Sequence, residues 1–231
     1  MVLCDRDIKK RLKTPDDLAL PKDYLALIAK KEMPSQLRDA LENGLIVMDP
    51  IPPDNWFDGD TVDIAFGCII EMPDMPLEVV TIEGKEVIRR FTNDFRWDGS
   101  PKSLHNVRKV SRAGDGSRVR FNLSNTDTLE LQPDMQALVY SLQAVCVPFD
   151  LQMTLGGRSR VARNFVDVHA SSPIIHPGWC GHVVMEVTNR GKMSQNLYPG
   201  LAFGVIGFNQ MSGKPDTPYC DKGSASFSGQ R

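Results

Sequence analysis

The sequence lacks the features that mark membrane, secreted and nucleic-acid-binding proteins. Its 231 residues include 27 lysines and arginines against 29 aspartates and glutamates, a net charge of −2. This balance excludes the basic surface of a DNA- or RNA-binding domain. The longest apolar stretches, residues 64–70 and 201–208, are far shorter than the roughly 18 residues that a membrane helix needs. Because residues 1–10 already carry five charged side chains, we expect no signal peptide and no membrane partner.

Cysteine is also scarce and follows no pattern. The five cysteines are an odd number and are scattered along the chain, which argues against a disulfide framework and for free thiols in a reducing compartment. We therefore expect a cytoplasmic protein. Cys180 and His182 lie close together, but a structural zinc site needs two more ligands than this pair offers. The H-x-E and P-C-x-x-C signature of the zinc deaminases is absent as well, so the sequence predicts no protein-bound metal.

The sequence pattern changes from helical to strand-like near residue 45. Within residues 1–45, Asp5 and Ser35 are suited to cap helices, and residues 24–31 have the apolar spacing of another short helix. Further along, short apolar runs alternate with turn signals rich in Gly, Pro and Asp, which is typical of a β-sandwich or barrel. We predict one mainly β domain over residues 46–231, with the N-terminal helical segment packed on it.

The first stretch with candidate functional residues begins with a pair of glycines, Gly156 and Gly157. A tight turn there lets Ser159 begin a helical turn, which places Ser159 and Arg163 on one face at positions i and i+4. Such a face presents a hydroxyl, a guanidinium and free backbone N–H groups together, an arrangement that suits phosphate oxygens. The motif alone is weak, because a capping serine beside solvated arginines is the commoner explanation.

A second stretch, residues 182–188, shows the alternation of a strand. Val183, Met185 and Val187 would share one apolar face and Glu186 the other. A carboxylate in so apolar a strand is costly to bury unless it is partnered or used. Glu186 is therefore a candidate functional residue, and a solvated strand face is the alternative.

Two further stretches complete the reading of the chain. Residues 171–179, which contain two prolines, indicate a hairpin turn that returns into the Glu186 strand.

Residues 97–120 are polar and relatively basic. A solvated insertion between strands explains the composition of residues 97–120 better than an anion-binding loop, and we assign this segment no role.

Taken in order, these motifs resemble the dCTP deaminase family, whose fold belongs to the dUTPase-like group. The likeness also covers residues 3–8 and 59–67 near the N-terminus. The resemblance implies a mainly β fold, a distorted dUTPase-like β-barrel or jelly roll with N-terminal helices, assembled as a homotrimer. In the second half of the chain it rests on an ordered set of residues: Gly157, Arg158, Ser159, Ala162, Arg163, His169, Ile175, Pro177, Gly178, Trp179, Gly181, Glu186, Asn189, Tyr198, Pro199, Gly200, Tyr219 and Gln230.

The resemblance further implies a zinc-independent hydrolase, a dCTP deaminase that converts dCTP to dUTP and ammonia. Glu186, Ser159 and Arg163 align with catalytic residues, of which the glutamate moves protons while water attacks the cytosine C4 atom. One carboxylate in a partly desolvated site can carry each of these protons in turn. The positions that align with substrate contacts are Arg158, Arg160, His169, Ser171, Ser172, His176, Trp179, Tyr219 and Gln230.

Partners and a cofactor follow from the same resemblance. It implies active sites shared between adjacent subunits of the homotrimer, and Mg²⁺ that is bound through the substrate triphosphate. It also makes dTTP a candidate inhibitor beside the substrate dCTP. Neither zinc nor a nucleic acid belongs to this set.

Several positions depart from the family pattern. His176 stands where the family has an aspartate that meets the sugar, and Ser172 replaces a small apolar residue. Arg160 and Ser226 stand at positions that are usually serine and lysine, and one interpretation is that Arg160 supplies the charge that Ser226 lacks. Two alternatives therefore stay open: a bifunctional dCTP deaminase/dUTPase, or a homologue that binds nucleotides without catalysis or acts on a modified pyrimidine. Glu186 favours deamination, because dUTPases need no glutamate at that position.

Overall fold

The structure, a computed structural model, describes residues 1–73, 77–82, 84–90, 111–112, 118–168 and 172–223. Within these residues short helices come first and strands dominate the rest. None of the helices in the described ranges is long and apolar enough to cross a membrane. The α-helices are α1 (Asp5–Arg11), α2 (Tyr24–Ala29), α3 (Ser35–Glu42) and α4 (Ser159–Ala162), and 3₁₀ turns cover Asp16–Leu18, Asp54–Trp56 and Tyr219–Asp221.

Strands make up most of the remaining structure, which agrees with the predicted mainly β fold class. The two longest, β4 and β10, have 13 and 11 residues. In chain order the strands are β1 (Leu12–Lys13), β2 (Ile46–Asp49), β3 (Phe57–Asp58), β4 (Thr61–Pro73), β5 (Leu77–Ile82), β6 (Lys85–Arg90), β7 (Ser111–Arg112), β8 (Arg118–Asn122), β9 (Thr128–Leu131), β10 (Gln136–Cys146), β11 (Leu151–Gly157), β12 (Val166–Asp167), β13 (Ile174–Ile175), β14 (Cys180–Asn189), β15 (Gln195–Leu197) and β16 (Ala202–Gln210).

The predicted helix caps are wrong by one position. Asp5 and Ser35 are the first helical residues of α1 and α3, and the cap positions are occupied by Cys4 and Pro34, without a capping side-chain hydrogen bond. The reason is local competition, because the Asp5 and Ser35 side chains each bond to the residue that follows them. α1 is favoured instead by its charges, acidic in the first turn and basic in the last.

β4 organises the larger of two sheets, which has twelve strands. Its first half pairs antiparallel with β16 and β3, and its second half pairs with β10 and β8. Beyond β16 the sheet continues to β11 and β13, and beyond β10 it continues to β2 and to β14. The smaller sheet has the order β15-β9-β6-β5. Thus β4 and β10 connect all parts of the larger sheet.

β4 changes partners at Phe66 and Gly67. Phe66 faces Ser141 in the register with β10, while the residues just before it pair with β16. A Cβ atom on Gly67 would lie 2.3 Å from the Tyr140 carbonyl oxygen, far inside van der Waals contact. Glycine is therefore required where β10 crosses this closely over β4.

Opposite this point β10 is irregular, and side chains replace the hydrogen bonds that the ladder loses. The Val183 N–H of β14 donates to Ser141 Oγ at 2.8 Å, and the Ala65 N–H of β4 donates to Gln143 Oε1 at 2.8 Å. Ser141 and Gln143 are buried. Because a buried N–H without a partner is costly, these two polar side chains hold β14 and β4 to the bulged part of β10.

The core has two parts, one between the strands and one under the helices. The larger part includes Phe66, Phe121, Phe203 and Phe208, and the smaller part, under α2 and α3, includes Leu37, Leu41, Cys146, Phe149 and Cys180.

All five cysteines in the chain are free thiols, as predicted. Burial raises the pKa of Cys180 well above its usual value.

Replacing Gly67 by alanine is expected to destabilise the protein, because the new methyl group would overlap the Tyr140 carbonyl oxygen. We expect a loss of about 1–3 kcal/mol in the free energy of unfolding, measured by urea denaturation. Gly213→Ala is the matched control, since nothing lies within 4 Å of its Cβ position. Equal unfolding midpoints for the two variants would contradict the close contact between β4 and β10.

Candidate functional site

Glu186 lies on β14, and the predicted alternation of this strand is confirmed. Val183, Met185 and Val187 are buried in the core, while Glu186 is half-buried on the opposite face. Two residues further along, Thr188 pairs with β12. The carboxylate therefore stands on a partly desolvated sheet face, close to the end of β14 that pairs with β12, the strand that follows α4.

A polar cluster that was not predicted from the sequence lies on the same face. The register places Leu138 between Glu186 and Glu71 in one row across β14, β10 and β4. Glu71 is buried and accepts hydrogen bonds from Arg120 at 2.6 Å and from the Tyr140 hydroxyl at 3.0 Å. Burial, followed by the Glu71 charge, raises the pKa of Tyr140. The sequence does contain a signal for Glu71, because it is a single glutamate in an apolar run. The same signal singled out Glu186.

The glycine pair leads into the short helix that the sequence predicts. Gly157 pairs with Gly204 at the end of the β11–β16 ladder, and α4 then begins at Ser159. The Arg163 N–H donates to the Ser159 carbonyl at 3.0 Å, which confirms the i, i+4 relation. Ser159, Arg160 and Arg163 are all exposed, and we name these three residues the turn group. The turn group thus presents one hydroxyl and two guanidinium side chains to solvent.

Arg158 is held differently from the arginines of the turn group. Its guanidinium lies 2.8 Å from Asp63 Oδ2 on β4, and the Asp63 side chain is only 11% exposed. Burial raises the pKa of the Asp63 carboxyl, and the Arg158 charge opposes that rise. The pair ties the start of α4 to β4, so Arg158 fixes the position from which the turn group projects.

The predicted hairpin between β13 and β14 is wrong. β13 pairs with β11, on the other side of the larger sheet, whereas β14 pairs with β10 and β12. Pro173 and Pro177 have no N–H to donate to a hairpin ladder, and Gly178 adopts φ +81°. The chain therefore crosses from one part of the sheet to another at the Pro177-Gly178 turn.

His176 and Tyr219 meet at this turn. Their rings are stacked, with centroids 6.1 Å apart and an angle of 11° between the planes. The Tyr219 N–H donates to the Pro177 carbonyl at 2.8 Å, which fixes the backbone beneath the ring. We name His176 and Tyr219 the stacked pair. It brings together two of the residues predicted to bind the substrate.

The other predicted contact residues are distributed as follows. Trp179 is 7% exposed and belongs to the core. Ser172 is exposed and precedes Pro173, whose carbonyl accepts a hydrogen bond from the Leu155 N–H on β11. The remaining predicted residues His169, Ser171 and Gln230, together with Ser226, lie outside the described residues.

The turn group and the stacked pair lie far apart in one chain. Ile175 pairs with Met153 on β11, and Ser159 lies six residues further along the chain from Met153. At about 3.3 Å per strand residue, Ser159 is roughly 20 Å from the His176 end. β14 leads to the same conclusion, since α4 and β12 adjoin its last residues and the His176 turn precedes its first. One chain therefore holds two separate halves of the predicted site.

Metal ligands do not gather in the part of the chain that the structure describes. There, no group of three or more His, Cys, Asp or Glu side chains is placed to hold a metal ion. The imidazole of His182, one of the two residues considered for zinc, has its Nδ1 atom 2.9 Å from the Ser141 carbonyl oxygen. That carbonyl belongs to the bulged part of β10, so His182 contacts the protein backbone there.

Comparison with known proteins gives consistent matches. The model of a dCTP deaminase-like family matches residues 34–211. The dCTP deaminase of Pectobacterium atrosepticum is 30% identical over 191 residues, 83% of this chain and 89% of the relative, and that of Shewanella amazonensis is 26% identical over 202 residues, 85% and 91% respectively. The crystal structure of 2'-deoxycytidine 5'-triphosphate deaminase from Agrobacterium tumefaciens superposes with a TM-score of 0.50 at 13% identity, over 90% of this chain and 47% of that chain. The last match supports the fold alone.

Removing Arg158 is expected to destabilise the protein more at neutral than at acidic pH. Because the pKa of the Asp63 carboxyl is raised in the folded state, this carboxyl contributes most to stability at low pH. The contribution is lost as the pH rises through the folded-state pKa of Asp63. Without Arg158 that pKa rises further, so the Arg158→Met variant should lose about 1–3 kcal/mol at pH 7.5 and less at pH 4.5. Urea unfolding at both values measures this.

Arg190→Met is the control for this prediction. It breaks the ion pair between Arg190 and Asp167, whose side chains are 69% and 42% exposed, and such exposed pairs contribute little. A loss of stability in Arg158→Met that is equal at both pH values would show that Asp63 does not respond to Arg158.

Proposed function

The chain belongs to the dCTP deaminase-like family, and we propose on this basis that it converts dCTP to dUTP and ammonia by hydrolysis at cytosine C4. The observation that carries the proposal is the position of Glu186. It is a half-buried carboxylate on an apolar strand, close to the end of β14 that adjoins the turn group. This is the residue that the family resemblance assigns to proton transfer.

Deamination moves two protons, and one carboxylate can accept each of them in turn and pass it on. Glu186 takes a proton from the attacking water as the oxygen bonds to C4, and gives this proton to N3. It then takes the remaining proton of the new hydroxyl group and gives it to the amino group. The C4–N4 bond breaks, ammonia leaves, and the C4 oxygen becomes the carbonyl of uracil.

The turn group supports this chemistry at two points. We assign Ser159 to orienting the water and Arg163 to offsetting the negative charge that develops on the water oxygen as it loses its proton. Arg160 is exposed beside them and suits the triphosphate. Arg158 lies next to the phosphates and keeps its ion pair with Asp63, which holds the turn rigid.

We further propose that the active site is shared between subunits of a homotrimer. Ser159 is assigned to the base and its water, and His176 to the sugar, and these two parts of the nucleotide are directly bonded. A separation of roughly 20 Å between the two residues in one chain is too great for both to contact the same nucleotide. A site that takes the turn group from one subunit and the stacked pair from its neighbour resolves this conflict.

The remaining components of the proposal concern ligands. Mg²⁺ enters as part of the substrate, bound to its triphosphate, and no zinc ligand set is assigned. dTTP is a candidate inhibitor, because it has the same triphosphate and a pyrimidine base. We also keep the prediction that the protein acts in the cytoplasm.

One assay separates the proposal from its alternatives. The purified protein is incubated with dCTP or dUTP and Mg²⁺, with and without dTTP, and ammonia, dUTP, dUMP and pyrophosphate are measured. Ammonia without pyrophosphate supports a deaminase, and both products together indicate a bifunctional enzyme. Binding of dCTP without any product would overturn the proposal in favour of a non-catalytic homologue.

Glu186→Gln is expected to abolish ammonia release, because the amide cannot accept the proton of the attacking water. We expect kcat to fall by at least about 10³-fold with an unchanged melting temperature. Glu32→Gln, at an exposed position outside the proposed site, is the matched control and should retain full activity. Turnover above about one tenth of wild type in Glu186→Gln would disprove the assigned role.

Mixed trimers test the shared site. Ser159→Ala subunits, which do not orient the water, and His176→Trp subunits, whose larger ring fills the position assigned to the sugar, are each expected to be inactive alone. The two variants are co-expressed with different tags and purified through both. If each site takes these two residues from different subunits, every trimer purified through both tags has one intact site in three, because one of its three neighbouring subunit pairs combines the two unmutated residues. Ammonia release near that level is expected, and a fully inactive mixed trimer would show that one chain supplies both residues.

A further inference from the structure

Arg38 makes an ion pair that joins the two ends of the chain. Its guanidinium donates to both carboxylate oxygens of Asp221, at 2.9 Å and 2.7 Å, the bidentate geometry that gives the strongest charged hydrogen bonds. The same guanidinium lies 5.7 Å from the centre of the Phe149 ring, within the range of a cation–π contact. The hydrogen bond to Asp221 raises the pKa of Arg38 and lowers that of Asp221. α3 is thereby connected to the 3₁₀ turn Tyr219–Asp221.

This 3₁₀ turn has no sheet to hold it. No strand occurs among residues 211–223, the described part of the chain after β16. Its polar attachment consists of the Arg38–Asp221 pair, the bond from Lys31 Nζ to the Gly223 carbonyl at 2.8 Å, and the Tyr219 N–H bond to Pro177, while Tyr219 and Cys220 pack against the two parts of the core. The first two of these contacts come from the helical segment.

The attached turn packs directly on the Pro177-Gly178 turn. A Cβ atom on Gly178 would lie 3.0 Å from Pro218 Cβ and 3.2 Å from Cys220 Sγ, so the two turns touch with no room for a side chain. Tyr219, between these two contacts, stacks on His176. Any shift of Asp221 away from Arg38 therefore moves the stacked pair.

We infer that Arg38 is a positioning residue, which fixes the stacked pair of His176 and Tyr219 through Asp221. The family match covers Arg38 and ends at residue 211, before Asp221. The inference rests on the proposed function to the extent that the stacked pair contacts the nucleotide. Arg38 itself touches neither the turn group nor Glu186 in this arrangement of elements, so its effect is on binding and not on the chemical step.

Arg38→Met tests the inference, because methionine keeps an apolar stem against Phe149 and removes the fork to Asp221. We expect the KM for dCTP to rise about tenfold while kcat stays within about twofold, the signature of lost uniform binding. The double variant Arg38→Asp, Asp221→Arg, which restores the pair in reverse, should recover most of the KM. Glu42→Gln is the control, since it removes the other carboxylate beside Arg38, at 3.3 Å, and leaves Asp221 in place.

Hydrogen exchange gives a readout that does not depend on activity. The Tyr219 amide, bonded to Pro177, should exchange about fivefold faster in Arg38→Met, while amides of β10 and β14 keep their wild-type rates. Unchanged Tyr219 exchange would overturn the inference even if the wild-type protein releases no ammonia. Faster exchange with an unchanged KM in an active enzyme would also overturn it, because Arg38 would then stabilise the turn without positioning the stacked pair.

Discussion

The close contact between Gly67 and the Tyr140 carbonyl oxygen is the constraint on which the architecture depends. β4 belongs to both halves of the larger sheet, and it passes from β16 to β10 at this glycine. A side chain there would separate the halves. Because β10 approaches so closely, it bulges, and Ser141 takes over a hydrogen bond to β14. The strand that carries Glu186 is thus attached through the same irregularity that the glycine makes possible.

The same crossing decides which charges share a surface with Glu186. The register across β14, β10 and β4 aligns Glu186 with Glu71, at a distance of two strands. Glu71 is satisfied by Arg120 and Tyr140, so this buried charge is paired and adds little field of its own.

Local features of the site could be predicted from the sequence, and features that depend on distant pairing could not. The alternation around Glu186 and the helical turn from Ser159 to Arg163 follow from neighbouring residues alone, and both are confirmed. The hairpin expected before β14 failed because β13 finds its partner in β11, which no local pattern reveals. The ion pair of Arg158 with Asp63 escaped prediction for the same reason, since nearly a hundred residues separate the two.

One departure from the family pattern, His176, lies away from the residues assigned to the reaction, while another, Arg160, belongs to the turn group. Ser159, Arg163 and Glu186 keep the residue types that the resemblance assigns to the reaction, whereas His176 lies at the far end of β14. At that end the expected aspartate is replaced by a ring stacked on Tyr219, so the proposed contact with the sugar is made by a planar surface and not by a carboxylate. A change of this kind alters which sugar and base fit, and leaves the proton transfers intact. Under the proposed assignment, the chemistry and the substrate preference are therefore set at opposite ends of one strand, and they can vary independently.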